Sequence, residues 1–146
     1  MKELVDRIAV ITGAASGIGL ATAHRLADEG MHLALADIEG DGLEQAADAI
    51  RAKGVDVLAR RTDVMSEDAV NDLADATFDR FGGVHVLFNN AGVAATAATL
   101  RTRAWEGSLA DWDWTMGVNL RGVLHGVRAF VPRMLANGDE GHIVNT

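Results

Sequence analysis

The chain has 146 residues, 49% of them hydrophobic, and its 21 acidic and 13 basic residues give a formal charge of −8. This length suits one domain with a substantial core, and the acidity excludes a basic surface for nucleic acid or a membrane. The chain contains no cysteine, which excludes disulfides, zinc–thiolate sites and cysteine nucleophiles. Charges near the N-terminus and the lack of an apolar run of about 20 residues predict a cytoplasmic protein with no membrane segment.

Short apolar runs alternate with helical patterns over the first part of the chain. Strands are predicted at residues 8–11, 33–37, 55–59 and 84–88, and helices at residues 17–29, 42–53 and 66–80. Ser66 is the predicted N-cap of the third helix. This alternation with short linkers predicts an α/β fold with one doubly wound parallel sheet, formed by a single domain over residues 1–146.

The second part of the chain predicts a loop, a long helix and a last strand. Residues 93–107 show no clear period and predict a loop with at most a helical turn. Ser108 and Asp111 have the spacing of a capping box for a helix that runs to about residue 137. Pro132 should kink or interrupt that helix near Val131. Residues 142–146 begin a fifth strand.

A glycine-rich turn follows the first predicted strand and opens the first helix. Residues 12–19 read Thr-Gly-Ala-Ala-Ser-Gly-Ile-Gly, with glycines at 13, 17 and 19. Such glycines permit a tight turn and close approach of a pyrophosphate, whose charge is met by the N-terminus of the helix. The pattern therefore predicts a dinucleotide site, and the alternative is a glycine-rich turn without a ligand.

Asp37 lies 18 residues after Gly19, at the end of the second predicted strand. This is close to the spacing of about 20 residues expected for a carboxylate that binds a ribose 2′-OH. A 2′-phosphate would meet a like charge there, and Ser16 and Ile38 stand where a basic residue would accommodate it. NAD is therefore predicted over NADP, and the alternative role for Asp37 is a turn or N-cap residue.

Residues 12–19, together with four later segments, resemble the compact branch of the short-chain dehydrogenase/reductase family. The later segments are residues 63–64 (Asp-Val), 89–92 (Asn-Asn-Ala-Gly), 118–122 around Asn119, and 142–145. The resemblance implies a Rossmann-like sheet, and it assigns cofactor binding to Thr12, Gly13, Ser16, Gly17, Ile18, Gly19, Asp37, Ile38, Asp63, Val64, Asn90, Ala91 and Gly92.

The resemblance also implies a catalytic set of serine, tyrosine, lysine and asparagine, of which this chain matches only the asparagine, Asn119. The chain has no tyrosine, its two lysines, Lys2 and Lys53, lie in the wrong half, and Ser108 precedes the expected strand. The expectation is the N-terminal portion of an NAD-dependent oxidoreductase that exchanges a hydride with an alcohol or carbonyl substrate. The complete protein is expected to be a homo-oligomer, and this chain alone to bind NAD weakly and to lack turnover.

Two alternatives remain beside this expectation. One is a truncated, non-catalytic NAD-binding module that acts as a sensor or partner subunit. The other is a methyltransferase with a related sheet, which residues 89–92 and Asn119 disfavour. Residues 143–146 end the chain inside an apolar strand whose edge has no protecting charge, proline or helix, and this favours truncation before the catalytic segment over a dedicated module.

The remaining aromatic and cationic residues are weaker candidates. The five histidines show no pair at metal-binding spacing, so no metal site is predicted and packing or surface roles are expected. Trp105, Trp112 and Trp114 are expected in the core or an interface, with a substrate entrance as the alternative. Arg101 and Arg103 are expected on a solvated loop, with steering of an anionic group as the alternative.

Overall fold

A computed structural model of the chain describes Met1, residues 3–94 and residues 103–146. Within these residues one parallel sheet has the order β3-β2-β1-β4-β5. This confirms the predicted α/β, Rossmann-like doubly wound sheet. The strands are β1 (Ile8–Thr12), β2 (His32–Asp37), β3 (Val57–Arg61), β4 (Val86–Asn89) and β5 (His142–Asn145).

Each strand of the first half is followed by a helix, and the two predicted serine caps are confirmed. Ser66 accepts a hydrogen bond from the Ala69 amide at 3.2 Å, and Ser108 accepts one from the Asp111 amide at 3.1 Å. These bonds satisfy donors that the first turn of a helix leaves free. The helices are α1 (Gly17–Asp28), α2 (Gly40–Arg51), α3 (Glu67–Phe81), α4 (Leu109–Met116) and α5 (Gly122–Asn137).

The core lies on both faces of the sheet because successive strand side chains point to opposite sides. Ile11 and Leu35 pack with residues of α1 and α2, whereas Val10 and Ala34 pack with residues of α3 and α5. The four residues of β5 are exposed. The two-layer packing fixes the carboxyl ends of β1, β2 and β4 relative to one another.

The long helix departs from its predicted form. It continues through Pro132 to Asn137, so of the kink or interruption predicted near Val131 the interruption is wrong. Phe130 and Met134 are buried on either side of the proline, and this packing holds the helix in place despite the missing amide. The irregular turn lies earlier, at Gly117–Arg121, where a π-helical turn joins α4 to α5.

Strand β3 starts two residues later than predicted. The sequence favoured residues 55–59, but the parallel pairing with β2 begins at Leu33 and Val57 and ends at Asp37 and Arg61. Register in a sheet depends on the neighbouring strand, which a local pattern does not contain. Residues 104–106 form a short 3₁₀ turn within the predicted loop, and residues 95–102 of that loop lie outside the described residues.

His85 is buried at the amino ends of the strands, away from the glycine turn. Its Nδ1 accepts a hydrogen bond from the Ile8 amide at 3.0 Å, so this nitrogen carries no proton. Its Nε2 lies 3.5 Å from the Asp139 carboxylate. Burial, aided by nearby Arg7, lowers the pKa of His85 below its ordinary value, and Asp139 opposes this shift. The folded chain therefore favours the neutral imidazole.

Candidate functional site

A cleft of about 750 Å³ opens at the carboxyl ends of the strands. It lies where the sheet order reverses between β1 and β4, the position at which doubly wound sheets bind their ligands. Eleven of the thirteen residues expected to bind a cofactor line it: Gly13, Ser16, Gly17, Ile18, Asp37, Ile38, Asp63, Val64, Asn90, Ala91 and Gly92. The structure thus brings together four segments that are far apart in the chain.

The other two expected residues, Thr12 and Gly19, support the cleft wall. Thr12 Oγ1 accepts hydrogen bonds from the Asn90 and Ala91 amides, both at 3.0 Å. The Asn90 side chain donates back to the carbonyls of Thr12 at 2.9 Å and Gly13 at 3.2 Å. The glycine turn and the segment after β4 are therefore joined as one unit.

Two glycines of the turn have different physical roles. A Cβ at Gly19 would lie 2.1 Å from the Gly13 carbonyl oxygen, so glycine is required for α1 to approach the turn. Gly17 has a φ of +56°, and a Cβ there would meet nothing within 4 Å. Gly17 therefore faces open space in the cleft and Gly19 faces the protein.

The N-terminus of α1 is the feature of the cleft best suited to an anion. Ser16 makes no side-chain capping bond, and the first turn of α1 contains no acidic residue. In contrast, α3 and α4 are both capped by serine and both carry acidic residues in their first turn. An uncapped helix N-terminus presents free N–H groups and a positive dipole end, which fit a phosphate group.

The Asp37 carboxylate is held in place by the backbone. Its Oδ2 accepts from the Ala15 amide at 2.9 Å, and its Oδ1 accepts from the Glu39 amide at 3.0 Å. Each oxygen retains a lone pair that can accept a bond from a hydroxyl group. Asp37 therefore ties the glycine turn to the end of β2 and presents a fixed negative charge at one end of the cleft.

Two charged neighbours of Asp37 were missed by sequence reasoning. Glu39 lines the cleft as a second carboxylate. Arg61 pairs with Asp37 across the sheet, and its Nε donates to the Ile38 carbonyl at 2.9 Å, but Arg61 is not among the lining residues. The sequence pattern predicted β3 two residues too early, so it did not indicate that Arg61 pairs with Asp37.

Asp63 and Val64 lie in a tight turn after β3. Asp63 Oδ1 accepts from the Met65 amide at 2.9 Å, and the Asp63 carbonyl accepts from the Ser66 amide at 3.0 Å. Met65, Trp114 and Val118 line the same cleft, and none of the three was assigned to the cofactor from the sequence. This end of the cleft is accordingly more apolar than the end formed by Asp37.

Asn119 lies in the π-helical turn, and its side chain is bound to the backbone of Val93. Oδ1 accepts from the Val93 amide at 2.8 Å, and Nδ2 donates to the Val93 carbonyl at 2.9 Å. This pair of bonds joins the helix to the segment that follows β4, and it leaves one N–H of Nδ2 and one lone pair of Oδ1 for other partners. π-Helical turns are frequent at functional sites.

The three tryptophans were expected in the core or an interface; their exposure rules out the core, and an interface stays a prediction. Trp105, Trp112 and Trp114 expose 77%, 49% and 40% of their surfaces, and only Trp114 lines the cleft. Arg103 lies over the Trp105 ring at 5.5 Å, whereas Arg101 lies outside the described residues.

The described residues contain neither a metal-binding cluster nor a membrane-spanning helix. No group of three or more histidine, aspartate or glutamate residues in that part of the chain is placed to hold a metal ion. In the same residues, no helix has the length and apolar character needed to cross a membrane.

The sheet order and the position of the cleft are those of the doubly wound nucleotide-binding folds. The chain matches the short chain dehydrogenase family over residues 7–146 and therefore belongs to that family. It is 42% identical to 1-deoxy-11-beta-hydroxypentalenate dehydrogenase of Streptomyces avermitilis over 144 residues, which are 99% of this chain and 52% of that protein.

Solved structures show the same relationship. A short chain dehydrogenase/reductase from Burkholderia phymatum in complex with NAD has a TM-score of 0.93 and 48% identity, over 99% of this chain and 50% of that one. NAD⁺-bound xylitol dehydrogenase has a TM-score of 0.91 and 35% identity, over 99% and 54%. The chain spans about half the length of the relatives it matches.

Proposed function

We propose that this chain forms the NAD-binding part of an oxidoreductase that moves a hydride between NAD(H) and an alcohol or carbonyl substrate. The observation that carries the proposal is the uncapped N-terminus of α1 at the cleft, with the fixed Asp37 carboxylate beside it. Bound NAD would supply the hydride chemistry through its nicotinamide ring, and the residues of this chain bind and orient it.

The residues divide by the part of the dinucleotide that their chemistry suits. The amide at Gly17, which lines the cleft, and the dipole of α1 bind the diphosphate. Asp37 accepts hydrogen bonds from the ribose hydroxyls of the adenosine half. Asp63 and Val64 take the adenine. Ile18 and the segment after β4, residues 90–92, lie at the nicotinamide end.

Preference for NAD over NADP follows from charge at the Asp37 end of the cleft. Asp37 and Glu39 both line it, and a 2′-phosphate would be repelled by both carboxylates. Arg61 donates its Nε hydrogen to the Ile38 carbonyl and does not line the cleft, and none of the described residues that line the cleft is basic, so none is placed to bind a 2′-phosphate.

The chain alone is proposed to lack dehydrogenase turnover. It contains no tyrosine to serve as the acid or base, and Asn119 is the only residue of the expected catalytic set that it matches. Mixing the purified chain with NAD and a panel of secondary alcohols should give no increase in NADH absorbance at 340 nm. A sustained increase, in material whose mass is verified as 15.4 kDa, would contradict the proposed lack of turnover.

An oligomeric complete protein is also proposed. Leu109, Leu120 and Leu124 lie on α4, the π-helical turn and α5, and each exposes more than half of its surface. Large exposed apolar side chains at helical spacing are typical of a protein interface.

The experiment that tests the cofactor proposal is a calorimetric titration of the chain with NAD and with NADP. NAD should bind at least about tenfold more tightly, which corresponds to about 1.4 kcal/mol of repulsion between the 2′-phosphate and the two carboxylates. Asp37→Asn keeps the side-chain shape and one acceptor, and it should narrow this ratio to about threefold or less.

Asp41→Asn is the matched control, because Asp41 is an exposed aspartate in the first turn of α2 that does not line the cleft. It should leave the ratio unchanged. Equal binding of NAD and NADP by the parent chain, or an unchanged ratio in Asp37→Asn, would contradict the assignment of Asp37.

A further inference from the structure

His125 makes a long-range contact to the turn that carries Asp63 and Val64. Its Nδ1 lies 2.9 Å from the Val64 carbonyl oxygen, across 61 residues of sequence, and the contact is partly buried. A carbonyl oxygen only accepts, so Nδ1 must carry the proton and donate it. A side chain of α5 thus holds a backbone atom of the cleft wall.

The backbone around His125 fits against the same wall. A Cβ at Gly122 would lie 2.8 Å from Val64 Cγ2, and one at Gly126 would lie 2.2 Å from Asn89 Oδ1. Glycine at these two positions lets α5 approach the ends of β3 and β4. His125 lies between them and is therefore held at a fixed height above Val64.

The turn itself is otherwise closed by local bonds. The Met65 and Ser66 amides both donate to Asp63, at 2.9 and 3.0 Å. These bonds give the turn its shape. Its start is tied to β2 by the Thr62 amide, which donates to the Asp37 carbonyl at 2.8 Å, and the Val64 side chain is buried in the core. The bond from His125 is the side-chain hydrogen bond that holds the Val64 carbonyl itself, and it comes from the helical segment that also contains Asn119.

We propose that His125 is a positioning residue for the adenosine half of the cofactor, acting through the Val64 carbonyl. The inference rests on the proposed function, because it assumes that Asp63 and Val64 meet the adenine. It implies that loss of the Nδ1 donor lets the turn move and weakens the binding of ligands that contain adenosine. Ligands that reach only the nicotinamide end are unaffected.

Two nearly isosteric variants separate the hydrogen bond from the packing of the side chain. In His125→Asn, the Nδ2 group takes the place of the imidazole Nδ1 and can still donate, whereas His125→Leu has similar bulk and no donor. ADP and nicotinamide mononucleotide serve as probes of the two halves of the site, and NMR titration to millimolar concentration measures both.

In His125→Leu, the Kd for ADP should rise about fivefold, the effect of one net hydrogen bond, while that for nicotinamide mononucleotide changes less than about twofold. His125→Asn and the control His24→Leu, on α1 outside the cleft, should match the parent. Unchanged ADP affinity in His125→Leu, equal weakening of both probes, or identical behaviour of the Asn and Leu variants would each overturn the inference.

A measurement without nucleotide separates this inference from the proposed function. Hydrogen exchange at the Met65 and Ser66 amides should be about fivefold faster in His125→Leu than in the parent or in His125→Asn. Unchanged exchange overturns the positioning role even if NAD binds. If the parent does not bind NAD, the proposed function fails, and the exchange rates alone decide whether His125 positions the turn.

Discussion

Replacement of Gly19 by alanine should destabilise the fold strongly. The new Cβ would lie 2.1 Å from the Gly13 carbonyl oxygen and 2.7 Å from Asn90 Nδ2. The oxygen belongs to the backbone and cannot rotate away, so α1 and the glycine turn must separate by about 1 Å. Overpacking of this kind costs about 1–3 kcal/mol. We expect a loss of about 3 kcal/mol in the free energy of unfolding, because the hydrogen bonds of Asn90 are also strained.

Gly17→Ala should lower the stability of the fold only slightly but weaken NAD binding strongly. Gly17 has a φ of +56° and open space around the position of a Cβ, so the substitution costs only the left-handed backbone conformation, about 1 kcal/mol. That Cβ points into the space proposed for the diphosphate. We therefore expect a modest loss of stability and at least a tenfold loss of NAD affinity.

Gly54→Ala is the matched control for the backbone effect. Gly54 has a φ of +89°, its Cβ position is also open, and it follows α2 outside the cleft. Its stability loss should resemble that of Gly17→Ala, while NAD affinity stays within about twofold of the parent.

Urea unfolding followed by circular dichroism gives the three stabilities, and calorimetry gives the three NAD affinities. Equal destabilisation by the Gly17 and Gly19 variants would refute the packing argument. Unchanged NAD affinity in Gly17→Ala would refute the placement of the diphosphate.

Three further predictions concern His85, Ser66 and Trp114. The free energy of unfolding should fall as pH drops through about 6.5, because there the unfolded chain binds a proton that the folded His85 resists. His85→Asn keeps an acceptor for the Ile8 amide but does not titrate. It should therefore reduce the pH dependence of the urea midpoint between pH 7.5 and 5.5. Ser66→Ala should cost about 1 kcal/mol in urea unfolding through loss of the cap on α3, and an unchanged midpoint would contradict the cap. NAD should change the tryptophan fluorescence of the parent and of Trp112→Phe but not of Trp114→Phe, because only Trp114 of these lines the cleft.

The sheet and most of the cleft follow from local patterns in the sequence. Runs such as residues 8–11 are buried on both faces of a parallel sheet, and such strands are apolar throughout. The glycines of residues 12–19 and the acidic residue at 37 come at the ends of strands, so the sheet topology places them together at its carboxyl edge. Local patterns therefore predict the position of the site.

Features that depend on contacts between distant segments were not predictable in this way. The π-helical turn at Gly117–Arg121 occurs where Gly117 and Gly122 admit Met65 and Val64, which belong to a different part of the chain. The helix survives Pro132 because tertiary packing outweighs the lost amide bond. The bond from His125 to Val64 likewise has no sequence pattern, because its partner is a backbone carbonyl.

The most direct test of NAD binding at this cleft is an NMR titration of the isotope-labelled chain with NAD up to millimolar concentration. Binding as proposed should shift the backbone amides of residues 13–19, Asp37, residues 63–64 and residues 90–92, and leave the amides at the opposite end of the sheet near His85 unchanged. Absence of shifts at millimolar NAD, or shifts confined to residues outside the cleft, would contradict the account.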